Sequence, residues 1–150
     1  MSNRPNRTQA DRVSTLALEM RTLLGKLKRK VRDQTGHEEL TSSQVSVLLR
    51  LEKDGPTTAS NLARAEAMRP QSMSAVLAPL EAAGLVSGAP DPNDGRQTLL
   101  SLTEKCRERM HARRAAKQDW LTQTILVRLS AQEQEQLGTA LEILARLVED

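Results

Sequence analysis

Residues 59–102 read ASNLARAEAMRPQSMSAVLAPLEAAGLVSGAPDPNDGRQTLLSL. Small or apolar side chains recur at Leu62, Ala63, Met68, Met73, Val76, Leu77 and Leu80. That spacing predicts two short helices that pack on each other. Thr58 is placed to cap the first, over roughly residues 59–66. Pro70 fits the first turn of the second, where a missing N–H costs nothing, and Gly84 is placed to end it. Two helices joined by a turn of about three residues form a helix-turn-helix. Ala67 stands where that turn commonly has glycine. Pro79 removes one backbone hydrogen bond and is expected to kink the second helix or loosen its last turn.

The second half changes character. LVSGA (85–89) and RQTLLSL (96–102) are short and strand-like, and PDPNDG (90–95) separates them. Asp94-Gly95 supplies residues that tolerate positive φ, so a tight two-stranded hairpin is predicted. An isolated hairpin is marginal in water, so it must pack on something or have a job. A hairpin directly after a helix-turn-helix makes a winged helix, whose second short helix enters the DNA major groove. Arg96, just past the hairpin tip, suits the negative potential of a narrow minor groove. Taken without its neighbours, the same hairpin would be only a solvated turn.

Outward from this stretch the chain is helical. Val13, Leu16, Ala17, Met20, Leu23, Leu24, Leu27 and Val31 mark one apolar face over residues 11–33. KLKRKVR (26–32) ends that helix, either matching its dipole or meeting DNA phosphates. Thr41 is a predicted N-cap for a second helix, with Val45, Leu48, Leu49 and Leu51 turned inward and DGP (54–56) as its stop. Thr103 caps a long helix carrying Trp120, and Ser130 with Glu133 gives a capping-box signature for the last one. There Leu137, Leu141, Leu144, Ala145 and Val148 share one side. The fold class is therefore mainly α with a small β-hairpin wing. We divide the single domain 1–150 into a winged helix-turn-helix lobe, 41–103, and flanking helices, 11–33 and 104–150. The flanking helices have long apolar faces and little to bury them, which favours a two-fold helical interface.

Composition narrows the function. With 150 residues, 38% of them hydrophobic, one Trp and no Phe or Tyr, the core must be aliphatic and suits helices. The net charge of +3 is uneven. Residues 1–36 carry nine Lys/Arg against three Asp/Glu, and residues 115–150 carry three against six. A basic bias is compatible with nucleic acid. The single cysteine excludes an internal disulfide and fits a reducing cytosol. MSNRPNRTQADR (1–12) lacks the apolar run of a signal peptide, and nothing approaches the roughly 18 apolar residues that span a membrane.

Nearly the whole chain, about residues 11–148, resembles the MarR family of bacterial transcription regulators. NLARAEAMRPQSMSAVLAPLEAAGLV (61–86) looks like that family's helix-turn-helix running into its wing. DPNDGRQTLLSLT (91–103) looks like its wing signature, an Asp-x-Arg followed by a Leu-Thr that opens the next helix. One N-terminal and two C-terminal helices flank both. The resemblance implies a homodimer shaped like a triangle, a double-stranded DNA operator and a small, often aromatic or phenolic, effector. It implies DNA contacts from Arg69, Gln71, Ser72 and Ser74, at or near the start of the recognition helix. It implies that Asp94 orients Arg96 for the minor groove. Ala75 stands where many members have arginine, and Gly95 replaces a second wing arginine, which leaves fewer charges for phosphates.

Other chemistries are disfavoured. Counted from Asp91, an EF-hand loop would need Gly sixth and Glu twelfth, but the chain has Arg96 and Leu102. His37 and His111 stand apart with no Cys/His cluster, so neither metal nor cofactor is expected. Cys106 lies three residues into a helix, whose N-terminus can lower a thiol pKa, so redox sensing is a minor alternative. Trp120 serves either packing or a ligand cavity. No nucleophile–base pair and no Gly-rich phosphate loop is readable, which disfavours an enzyme. The alternative to a DNA-binding regulator is a winged helix used for protein contacts, whose sign would be an apolar recognition face.

Overall fold

The computed structural model of the protein describes residues 6–36 and 39–150, so His37 lies outside the described residues. In chain order the elements are α1 (Arg7–Thr35), α2 (Ser42–Asp54), β1 (Thr57–Thr58), α3 (Ala59–Ala65), α4 (Pro70–Ala82), β2 (Val86–Pro90), β3 (Thr98–Leu102), α5 (Glu104–Arg128) and α6 (Ala131–Ala145). Contacts divide the chain into two compact units, one spanning 38–114 and the other 1–37 with 115–150.

The first unit is a lobe with a complete core. Val47, Leu48 and Leu51 of α2 meet Leu62 and Ala63 of α3 and Met73, Leu77 and Leu80 of α4. Leu85, Val86, Leu100, Leu102 and Cys106 close it. Each such aliphatic side chain, taken fully from water, stabilises the fold by about 1.5–3 kcal/mol. The inward line of α2 is Gln44, Val47, Leu48 and Leu51, while Val45 is half-buried and Leu49 is exposed. This corrects the expected line. Apolar residues run almost continuously here, and only one helical face can be covered.

Caps hold the short helices in place. The Thr41 side chain accepts from the Gln44 N–H, the Gln44 side chain accepts from the Thr41 N–H, and Thr58 caps α3 through the Asn61 N–H. Thr103 does two things. Its Oγ1 accepts from the Cys106 N–H at the start of α5 and donates to the Gly84 carbonyl at 2.6 Å. Recognition helix and wing base are thereby tied to α5. Helix α4 runs through Pro79 to Ala82. Beyond it Gly84 takes φ +71°, with the Gly84 N–H donating to Glu81 and the Leu85 N–H to Leu80. This is a Schellman ending.

The hairpin is part of a three-stranded antiparallel sheet of order β1-β3-β2. Two strands were expected from the sequence. Strand β1 is only Thr57–Thr58, paired with Leu100 and Leu99, and two residues show no alternation to read. In the wing, Gly88 faces Leu100, and a Cβ there would lie 2.7 Å from Thr98 Cγ2. The Thr98 methyl group occupies the space that a side chain at position 88 would need.

The second unit is built differently. Helices α1 and α6 contain no buried residue. Ser130 and Glu133 form the capping box expected for α6. Within this unit α1 and α5 flank a groove of about 680 Å³, with Leu23, Leu27, Trp120 and Val127 on its walls. Lys26, Lys30 and Arg128 also line it.

Candidate nucleic-acid interface

The turn between α3 and α4 sets the site. The Ala67 N–H donates to the Arg64 carbonyl and the Met68 N–H to the Ala63 carbonyl. These are the two bonds of a Schellman ending, with Ala67 in the position that usually belongs to glycine. Ala67 accordingly has φ +53°, alone among the described non-glycine residues in being positive. Met68 then packs against the lobe core, and Arg69 and Pro70 start α4.

Glu66, one residue before, is the anchor of this turn. Its carboxylate accepts from Ser46 Oγ at 2.9 and 3.0 Å and from Arg50 Nε at 2.9 Å. Hydrogen bonds from Arg50 and then Ser46 hold its pKa below the ordinary carboxylate value. The turn is thus clamped to α2. Glu52 of α2 receives a bidentate pair from Arg114 of α5, at 2.5 and 2.9 Å, and its pKa is lowered by that pair. Sequence reading missed both. The partners lie 16, 20 and 62 positions apart, so no local pattern announces them.

The start of α4 differs from the other capped helices of the lobe. Its N-cap is Arg69, and no side chain caps it. The free N–H end of a helix favours anions such as DNA phosphates. Arg69, Gln71, Ser72 and Ser74 are all exposed there. Ser74 Oγ donates to the Pro70 carbonyl at 3.1 Å. Arg64 of α3 is exposed too, bound to Asn61 Oδ1, which in turn has its amide on Thr57 Oγ1.

The wing tip is not the tight positive-φ turn that Asp94-Gly95 predicts. Neither residue has positive φ. The loop is wider, closed by Asp91 N–H to Gln97 carbonyl and Gln97 N–H to Asp94 carbonyl. Two aspartates shape it from within. Asp91 Oδ1 accepts from the Asn93 N–H at 2.9 Å, and Asp94 Oδ1 from the Arg96 N–H at 3.1 Å. Such Asx turns replace the φ requirement by a side-chain hydrogen bond. Asp94 therefore grips the backbone of Arg96, and the exposed Arg96 side chain projects beyond it.

Three sequence candidates fall elsewhere. Cys106 is buried in the lobe core, its Sγ 3.8 Å from Met110 Sδ. Burial pushes the thiol pKa up, the opposite of an activated thiolate. His111 is exposed, and no cluster of metal-ligating side chains occurs among the described residues. Trp120 is half-buried and lines the groove of the helical unit. Among the described residues no helix is long and apolar enough to cross a membrane.

Residues 40–98 match the MarR family, which spans α2 to the start of β3. An uncharacterized HTH-type transcriptional regulator of Mycobacterium bovis is 35% identical over 140 residues, covering 93% of this chain and 97% of the relative. A Mycobacterium leprae relative with the same description is 31% identical over the same coverage. A crystal structure assigned as a transcriptional regulator from Pseudomonas aeruginosa superposes with a TM-score of 0.78 at 29% identity, over 97% of this chain and 99% of that one. A MepR mutant of S. aureus bound to an oligodeoxyribonucleotide shares the fold, with a TM-score of 0.70 at 22% identity over 89% and 98% of the two chains. Lobe, exposed recognition helix and wing agree with these likenesses: the chain belongs to the MarR family and is a DNA-binding winged helix-turn-helix transcription regulator.

Proposed function

We propose that the protein is a homodimeric repressor that binds a pseudo-palindromic DNA operator. One α4 enters the major groove of each half-site, with half-sites about one helical turn apart. Arg69, Gln71, Ser72 and Ser74 contact bases and phosphates. Arg96 reaches the flanking minor groove, and Asp94 holds the Arg96 backbone in place for it. Residues 41–103, with the start of α5 packed into their core, act as the DNA-binding lobe, and 11–33 with the rest of 104–150 as the dimerisation helices. The setting is the cytoplasm.

The observation that carries this reading is the joint exposure of the α4 start and of Arg96 on one well-packed lobe. The recognition helix starts with polar side chains, which suits DNA better than a protein partner. Dimerisation is supported by the second unit, where Leu16, Leu23, Leu24 and Leu141 are more than half exposed. So many large apolar side chains left exposed on one unit favour a partner that covers them. A small aromatic or phenolic effector fits the groove beside Trp120, whose volume lies in the range of ligand pockets. Release from DNA then requires the effector to bind a dimer geometry in which the two α4 helices no longer match the half-site spacing.

Selection from a random duplex DNA pool tests the reading. Enrichment of one inverted repeat supports it. A folded, dimeric protein that enriches nothing, with or without small phenolic compounds, would move the winged helix to a protein-contact role.

A further inference from the structure

Helix α4 buries Met73, Leu77 and Leu80. Opposite them it turns Gln71, Ala75, Ala78 and Ala82 to solvent, at spacings of four, three and four. These spacings keep one line along a helix of 3.6 residues per turn. Ser72 and Pro79 lie to one flank of that line and Ser74 to the other. Ser74 already spends its hydroxyl proton on the Pro70 carbonyl. Past its first turn, then, the central line of the outward face carries methyl groups, with Ser74 and the exposed carboxylate of Glu81 on one flank.

That face has a definite base chemistry. In the major groove thymine alone presents a methyl group, and alanine is a fitting contact for it. A side-chain amide pairs bidentately with adenine N6 and N7. Guanine offers two acceptors there and is read by arginine or lysine. Under Ala75 or Ala78 those acceptors would lose water and gain no donor, which is the costly arrangement. Thymine has one acceptor there, O4, against guanine's two, and beside it a methyl group that gains from the contact. Short side chains also let the helix backbone sit deep in the groove, which brings the methyl groups within reach.

We infer that Gln71, Ala75 and Ala78 are specificity-determining residues, with Gln71 reading an adenine and the two alanines packed on thymine C5 methyls. The half-site under α4 is therefore read as A·T pairs, through methyl contact more than through hydrogen bonds. This rests on the DNA-binding reading above and assigns its base code.

The test replaces each thymine of the selected half-site, one at a time, by deoxyuridine, which removes the C5 methyl alone. Full-length protein is titrated onto each duplex at fixed salt. At one or two positions under α4 the wild-type protein should bind uracil about four-fold more weakly than thymine, the value of one buried methyl group. In Ala75→Gly or Ala78→Gly the thymine-to-uracil ratio at the matching position should fall to one, whatever either change does to overall affinity. Ala75→Arg should turn the preference there towards G·C. A wild-type ratio of one at every thymine, with the operator still bound, overturns the inference and leaves the DNA-binding reading intact. G·C pairs selected under α4 overturn it equally. Failure to bind any duplex removes both.

Discussion

The two compact units differ in how they satisfy their apolar side chains. Among the described residues, all the buried hydrophobic ones, from Val47 to Cys106, lie in the lobe. The helical unit contributes none, although it holds Val13, Leu16, Leu18, Leu23, Leu24, Leu27, Leu126, Val127, Leu141, Ile143, Leu147 and Val148, all large and all exposed. Among the described residues of the lobe only Leu49 joins that group. The lobe is finished within one chain. The helical unit has the amphipathic faces of a core without the second layer that a core needs. With the dimer proposed above, the contrast becomes two kinds of stability in one fold, one intrinsic and one dependent on concentration.

The largest effects should separate the two kinds. Met73→Ala empties a site with no exposure in the lobe core, and a cost of about 2–5 kcal/mol is expected. Thermal unfolding should show it at any protein concentration. Leu24→Ala alters a side chain that is 51% exposed. It should leave the lobe's melting unchanged and weaken self-association on the order of a hundred-fold, since a two-fold axis removes the contact twice. Sedimentation equilibrium reads this directly. If Leu24→Ala left association untouched, the exposed face of α1 would not be the dimer surface.

Next in size is the wing. Arg96→Ala removes a cation from an exposed tip and touches no core contact. Operator affinity should fall on the order of ten-fold, and the slope of log affinity against log salt should shrink by about one. Lobe stability and self-association should both stay where they were. Wild-type affinity in Arg96→Ala at matched salt would remove the wing from the interface. Asp94→Ala should give a weaker version of the same loss, because Asp94 shapes the Arg96 backbone and does not itself meet DNA.

The clamps on α2 give the lobe a pH signature. Glu66 and Glu52 both have folded pKa values below 4.5. A carboxylate with a depressed pKa adds stability that is complete above its unfolded value and is lost as pH falls through the folded one. Lobe melting should therefore be flat near neutrality and fall below about pH 4.5. Glu66→Gln should flatten that fall and, at neutral pH, lower the melting point. An unchanged acid profile in Glu66→Gln would mean that the clamp from Ser46 and Arg50 contributes nothing. Because Glu66 adjoins the turn that aims α4, its protonation should also weaken operator binding before the lobe melts.

How much of this could be read from the sequence follows the same division. Local signals were legible. Thr41, Thr58, Thr103 and the Ser130–Glu133 pair cap the helices they were expected to cap. Period and punctuation gave the order of elements, and the wing lies where RQTLLSL follows PDPNDG. What stayed hidden depends on distant partners. Strand β1 exists through Leu99 and Leu100, more than forty positions on. Glu66 matters through Ser46 and Arg50. The wing tip was misread because DG suggests positive φ, whereas the side chains of Asp91 and Asp94 supply the turn. In α2, Leu49 was expected inside because composition cannot say which of two adjacent apolar lines faces the core. For the interface, Arg69, Gln71, Ser72, Ser74, Asp94 and Arg96 are all exposed, and their contacts belong to the proposal above.

The smallest effect concerns a single methyl group at the hinge between α3 and α4. Ala67 has φ +53°, which costs a residue with a Cβ about 1–2 kcal/mol relative to glycine. Glycine in turn gives back about 0.5–1 kcal/mol through its freer unfolded chain. The difference favours Ala67→Gly by up to about 1.5 kcal/mol, with a midpoint of about 0.75 kcal/mol. The Ala67 side chain is exposed, so no packing is lost against that gain. A rise of a few degrees in lobe melting is expected, about 4 °C on the scale of a domain this size. Ala65→Gly, two residues earlier and inside α3, should do the opposite by about 1 kcal/mol. The pair makes a sharp comparison, since the same substitution two positions apart must change sign. If both lowered the melting point, the α3–α4 turn would not hold Ala67 in the left-handed region. The clamp by Glu66 would then be aiming α4 without the strain that this backbone implies.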